Sequence, residues 1–208
     1  MKRILVFCAR DWLNPQAGRV EQYVHEVCVR LAAQCNYVAW VAQSFPLFGH
    51  GVRRPRTELV DGIQIARLGM RPLYRLMAGM FLARIEKTNN GPTRFDAIID
   101  CVTGYPLPIT EKTQIPVVPL VFNLSPKIQA SEEPPGPVIA ATDEARRQLL
   151  RAGFPESFIV QAVDGMDGMD AMDEAHQHHL GSDARQQLWD KTTEIILATI
   201  EDVVHSVH

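Results

Sequence analysis

The sequence predicts an α/β domain, with a mostly parallel sheet between two layers of helix, and three observations predict it. Short apolar runs rich in branched residues recur between residues 3 and 163, as strands buried on both faces require. Segments of helical period separate several of them. The first four segments run strand, loop, helix, strand, and a right-handed crossover places that helix on one face of the sheet.

Residues 3–8 read as the first strand. The loop from Ala9 to Ala17 holds the turn signal Asn14-Pro15. From Gly18 to Ala33 the period changes: Val20, Val24, Val27, Cys28 and Leu31 fall at helical spacing, while Glu21, Gln22, Glu26 and Arg30 lie mostly elsewhere. Residues 37–42 return to strand, completing a Rossmann-like βαβ unit. Val52 to Glu58, with Arg53, Arg54 and Arg56, reads as an exposed loop, Asp61-Gly62 as a turn, and residues 63–68 as a strand. A helix over 72–87 opens at Pro72, which is well placed near a helix start. A strand over 95–99 runs into Asp100. Another over 116–121 contains Pro116 and Pro119, which argue for a bent or edge-like course.

Residues 138–141 form the next strand. Thr142 then caps a helix with Asp143 and Glu144 in its first turn, stopping at Gly153, before a strand over 158–163. The near-repeats Gly165-Met166-Asp167, Gly168-Met169-Asp170 and Ala171-Met172-Asp173 then read with residues to 182 as a flexible linker. Residues 183–208 form a terminal amphipathic helix that packs back on the domain of residues 1–164. Its period turns Leu188, Ile195, Ile196 and Val203 inward and Glu194, Glu201 and Asp202 toward water.

Composition narrows the class. Hydrophobic residues make up 46% and charged residues 22%, an ordinary globular balance, and the formal charge of -3 gives no support to nucleic-acid binding. Cys8, Cys28, Cys35 and Cys101 form no C-x-x-C pair and read as reduced, mostly buried thiols. The apolar run after Met1-Lys2-Arg3 is broken by Arg10 and Asp11, so it reads as a strand and not a signal peptide. No apolar stretch approaches the roughly 18 residues of a membrane span, and the expected compartment is the cytoplasm.

The C-terminal ends of parallel strands are where ligands meet such a sheet. Gly18 opens the first helix, whose unpaired N–H groups suit a phosphate or sugar oxygen, and Arg19 adds charge; alternatively Gly18 only turns the loop into the helix. Neither G-x-G-x-x-G nor G-x-x-x-x-G-K-[ST] is present, and no cofactor is expected. At the end of a later strand, Asp100 suits hydroxyl donors and Tyr105 suits stacking on a sugar-like ligand. Thr103 lies between them, and in the plainer reading Asp100 caps the loop and Gly104 supplies a turn. Asn123 sits on the same rim. His176, His178 and His179 lack metal-site spacing, and no metal is expected. His25 lies next to the apolar stripe of its helix and need not be a catalytic base. No G-x-S-x-G or other catalytic constellation appears.

These residues resemble a known family. Ile4-Leu5-Val6-Phe7, the loop from Asp11 through Asn14 to Gly18, then Glu21 and Tyr23-Val24-His25-Glu26 are similar to the N-terminal, acceptor-side half of family 4 GT-B retaining glycosyltransferases. Val60 to Ile65, Phe95 to Asp100, Ala140-Ala141-Thr142 with its helix, Gly153-Phe154-Pro155 and Ile159 to Asp164 continue the resemblance in order, and residues 184–205 look like the family's last helix. The chain departs from the pattern in three places. Arg19 stands where a second glycine is usual, a short bridge replaces a longer segment between Asn123 and Val138, and the donor-binding domain with its E-x7-E motif is missing between Asp164 and the last helix.

The resemblance therefore implies a glycosyltransferase-like domain that is not catalytic alone and assists or regulates a partner protein. An acceptor-binding subunit of a two-chain glycosyltransferase and a small-molecule binding protein are the alternatives, and a homodimer is a possible assembly. Asn14, Gly18, Arg19, Glu21, Asp100, Thr103, Gly104, Tyr105, Asn123 and Thr142 are the candidate ligand-binding residues, with no catalytic residue among them.

Overall fold

A computed structural model describes residues 1–45, 55–69, 73–88, 94–107, 113–130, 136–162 and 182–206. The strands are β1 (Arg3–Phe7), β2 (Tyr37–Gln43), β3 (Thr57–Val60), β4 (Ile63–Leu68), β5 (Ala97–Gly104), β6 (Val117–Leu124), β7 (Val138–Ala140) and β8 (Ile159–Gln161). The helices are α1 (Arg19–Ala33), α2 (Tyr74–Thr88), α3 (Asp143–Arg151) and α4 (Ser182–Ser206). The fold is a three-layer α/β/α arrangement around a mostly parallel sheet of order β3-β4-β2-β1-β5-β6-β7-β8. β1 pairs in parallel with β2 and β5, β2 with β4, β6 with β7, and β7 with β8; β3 runs antiparallel to β4. Strand order reverses between β1 and β5, the switch point where such sheets open a crevice.

By compactness the chain divides into two units, Met1–Cys101 with Pro106–Val117, and Val102–Tyr105 with Val118–His208. In the first, strand parity assigns the layers. Leu5, Phe7, Ala39, Val41 and Ile98 pack with Tyr74, Ala78 and Leu82 of α2. The alternate residues Ile4, Val6 and Cys8 turn the other way, where Cys8 interacts with Cys28 of α1. In the second unit Val121, Leu124, Val138 and Ala140 pack with Ala145 and Leu149 of α3.

Three departures from the sequence reading have physical causes. Residues 57–60, expected as loop and approach to a strand, form β3 on the sheet edge. Asp61 and Gly62 both hold positive φ (52° and 78°), the geometry of a two-residue hairpin that folds β3 back onto β4. β6 is interior in the strand order and not edge-like. It tolerates Pro119, which lacks an N–H, because its ladder with β7 begins one residue later at Leu120. Cys35 is exposed, unlike the other three cysteines, because it lies past the end of α1, in the turn where it takes a left-handed φ of 61°.

The buried stripe of α4 is Trp189, Thr192, Thr193, Ile196, Thr199, Ile200, Val203 and Val204, while Glu194, Glu201 and Asp202 are exposed. Leu188 and Ile195, expected inward, are half-buried at its margin, so the stripe is rotated by about one residue. Its threonines fit an apolar surface because Thr193 and Thr199 donate to the carbonyls of Trp189 and Ile195 one turn back, at 2.9 and 2.8 Å. Pro72, Val163, Asp164, the Met-Asp repeats, His176, His178 and His179 lie outside the described residues, as do residues 52–54 of the expected loop.

Candidate functional site

The loop between β1 and α1 is built from two side-chain turns. Asp11 Oδ1 accepts from the N–H of Leu13 at 2.9 Å, and Asn14 Oδ1 accepts from that of Gln16 at 2.9 Å. Backbone bonds from Asn14 N to Asp11 O and from Ala17 N to Asn14 O continue the fold of the loop. Asn14 is buried, so its amide holds the loop and is not displayed to a ligand.

Gly18 is the N-cap of α1, which begins at Arg19. Glu21, expected mostly off the apolar stripe and a candidate ligand-binding residue, is only 4% exposed. Its position is three residues beyond the cap, where a carboxylate reaches back to the cap's own N–H. Oε2 accepts from Gly18 N at 2.7 Å, and Oε1 pairs with Arg10 Nε at 3.0 Å. Arg10 also donates to Gln16 O at 2.6 Å. A helix N-terminus attracts anions through its exposed N–H groups and dipole. Here a carboxylate of the chain already takes the cap's own N–H and carries its own guanidinium. Arg19 is exposed beside it.

Below this loop lies a buried ionic cluster that periodicity did not reveal. Asp11 Oδ2 accepts from Arg67 Nε at 2.7 Å, and Arg67 Nη1 pairs with Glu58 at 2.6 Å and donates to Pro55 O at 3.0 Å. Arg67 and Asp11 are fully or almost fully buried. Burial alone lowers the pKa of Arg67, but the bonds to Asp11 and Glu58 outweigh it and hold the pKa above its ordinary value. The cluster joins the β1 loop to β3 and β4. The pair Asp11 and Arg67 is separated by 56 residues, so no local pattern announces it.

Asp100 is not at a strand end. β5 continues through Cys101, Val102 and Thr103 to Gly104, and Asp100 sits in the middle of it beside Phe7, at 1% exposure. Its Oδ2 accepts from the N–H of Leu107 at 2.9 Å. Burial raises its pKa from the ordinary 3.8 to about 6, against the lowering effects of the Leu107 bond and of Arg75. It thus braces the backbone that leaves β5, which is the role the plainer reading of Asp100 gives it. Nearby, the Tyr74 hydroxyl is shared between the carbonyls of Val41 and Cys8, at 3.0 and 3.2 Å, and burial pushes its pKa up. Burial likewise pushes up the thiols of Cys28 and Cys101, which leaves them protonated and unreactive.

His25 is neither buried nor free. Its ring stacks on Trp12 at 4.1 Å and 22°, and Nε2 lies 3.0 Å from Asp61 Oδ2, so it ties α1 to the β3–β4 hairpin.

The remaining candidates belong to the second unit. Thr103, Tyr105 and Asn123 are exposed. Gly104 has a φ of +112°, as its expected turn requires, and its carbonyl accepts from Ser125 N at 2.7 Å. Thr142 Oγ1 accepts from Ala145 N at 3.0 Å, which makes it the cap of α3. Glu144, exposed, bonds Arg147, which lowers its pKa. Among the described residues no three His, Cys, Asp or Glu side chains are grouped to hold a metal ion.

No protein-family model matches the chain, and no curated protein sequence matches it.

Proposed function

We propose that this protein is a non-catalytic, glycosyltransferase-like domain that acts through a partner protein. The observation that carries the reading is Glu21. A phosphate-bearing donor at this loop would draw on the Gly18 N–H and the positive end of α1, and Glu21 already takes that N–H while pairing with Arg10. A dianionic phosphate placed there competes with the Glu21 carboxylate for that N–H. The second prop is Asp100, whose carboxylate is spent on Leu107 N–H and raised in pKa by burial.

A second reading, an acceptor-binding subunit of a two-chain transferase, is favoured by the exposed Thr103, Tyr105 and Asn123 of the second unit. Incubating the purified chain with uridine- and guanosine-diphosphate sugars and simple sugar acceptors tests the first reading. The expected result is no transfer product and no saturable donor binding. Product that depends on the protein would overturn it, and product that appears only when a second native chain is added would favour the second reading.

A further inference from the structure

α2 carries an apolar surface that the core does not use. Leu73, immediately before the helix, and Leu76 and Met80 within it are 52%, 63% and 61% exposed. At helical spacing they fall on one side, and Ala83, Arg84 and Lys87, all exposed, extend the same side toward the C-terminus. The opposite side is accounted for: Tyr74, Ala78 and Leu82 are core residues, and Phe81 and Ile85 pack against them. Arg75 lies off this side and donates to Pro106 O at 2.8 Å. Glu86, the one acid of the helix, is half-buried and accepts from Gln114 N at 2.9 Å, so it does not neutralise the two cations.

An exposed leucine needs no explanation, but three large apolar side chains in line, followed by two cations, describe a definite chemistry. The apolar end seeks a medium that replaces water without offering shape, and the cationic end seeks negative charge. The side chains project from a convex helix surface, whereas peptide segments are received in grooves or along strand edges. With 15 residues, α2 is shorter than the roughly 20 needed to cross a bilayer. Among the described residues no helix is long and apolar enough to span. With its other side packed in the core, α2 can offer a bilayer only this one face and would lie along the interface.

We infer that the Leu73–Leu76–Met80 face of α2, with Arg84 and Lys87, docks this protein on a phospholipid surface bearing anionic headgroups. Leucine and methionine enter the acyl boundary, and the two long cations reach headgroup phosphates. The inference stands apart from the proposed function, because none of these residues belongs to the candidate site.

Vesicle sedimentation with the full chain tests it. Phosphatidylcholine vesicles containing phosphatidylglycerol should carry the protein down, pure phosphatidylcholine vesicles should not, and added salt should reduce binding. The double variant Arg84→Gln/Lys87→Gln should weaken binding about thirtyfold. Leu76→Ser/Met80→Ser should also weaken it, while circular dichroism and thermal midpoint stay those of the parent, since all four positions are exposed. Absence of binding to anionic vesicles overturns the inference, and so does undiminished binding by folded variants. A dimer in sedimentation velocity that Leu76→Ser/Met80→Ser dissolves, without vesicle binding, would assign the face to a second copy instead and equally overturn it.

Discussion

The β1–α1 loop and the outer face of α2 are opposite cases within one folded unit. The loop is rich in polar groups and sits at the position where this architecture receives ligands, yet its groups are committed to one another: Asp11 to Arg67, Asn14 to Gln16, Glu21 to Gly18 and Arg10. The α2 face has no polar constellation, yet its Leu73, Leu76 and Met80 stay more than half exposed. The difference teaches that position in a fold nominates a site, and that the partners its groups already have decide whether it is open.

Breaking the committed region should have the largest consequence. Arg67→Ala leaves Asp11 and Glu58 without their shared cation, Asp11 deep in the core, and should destabilise the protein by about 3–5 kcal/mol in chemical denaturation. A loss below about 1 kcal/mol, as for exposed pairs, would show that the cluster is hydrated and contributes little.

Asp100 gives the next effect, and it depends on pH. Its folded pKa, about 6, lies above its ordinary 3.8. The protonated form is favoured in the fold, so its contribution is fully present below about pH 4 and is lost as pH rises through 6. Asp100→Asn keeps an acceptor for Leu107 N–H and has no charge to bury. The variant should match the parent near pH 4 and exceed its stability by about 3 kcal/mol at pH 8. A constant difference across that range would place the titration elsewhere.

Thr142→Ala removes the cap of α3 and should cost about 1 kcal/mol. At the small end, Leu76→Ser on the α2 face should change stability by less than about 0.5 kcal/mol, because the residue is already mostly exposed. A larger loss would mean that this face is covered in solution.

Much of the fold was legible in the residues. Seven of the strands announce themselves as apolar runs, and the change of period at Gly18 places α1. β3 was signalled by Asp61-Gly62, since a two-residue turn of that composition implies an antiparallel partner on each side; the arginines before it suggested loop. Asp100 was misplaced because an acid after an apolar run looks like a strand end, although Val102 and Thr103 continue in strand-forming residues. Glu21 was legible too: an acid three residues after a capping glycine is the spacing of a reciprocal cap, a signal that helical periodicity does not carry. The Asp11–Arg67 pair was not legible, because a contact across 56 positions is made by topology and leaves no local pattern.

The central claim is that the chain's own carboxylate closes the N-terminus of α1 to anions. Calorimetric titration of inorganic phosphate into the parent and into Glu21→Ala tests it most directly, because the variant frees the Gly18 N–H and the Arg10 guanidinium together. The account predicts no saturable binding to the parent and measurable binding to the variant. Saturable binding to the parent that Glu21→Ala leaves unchanged would contradict it.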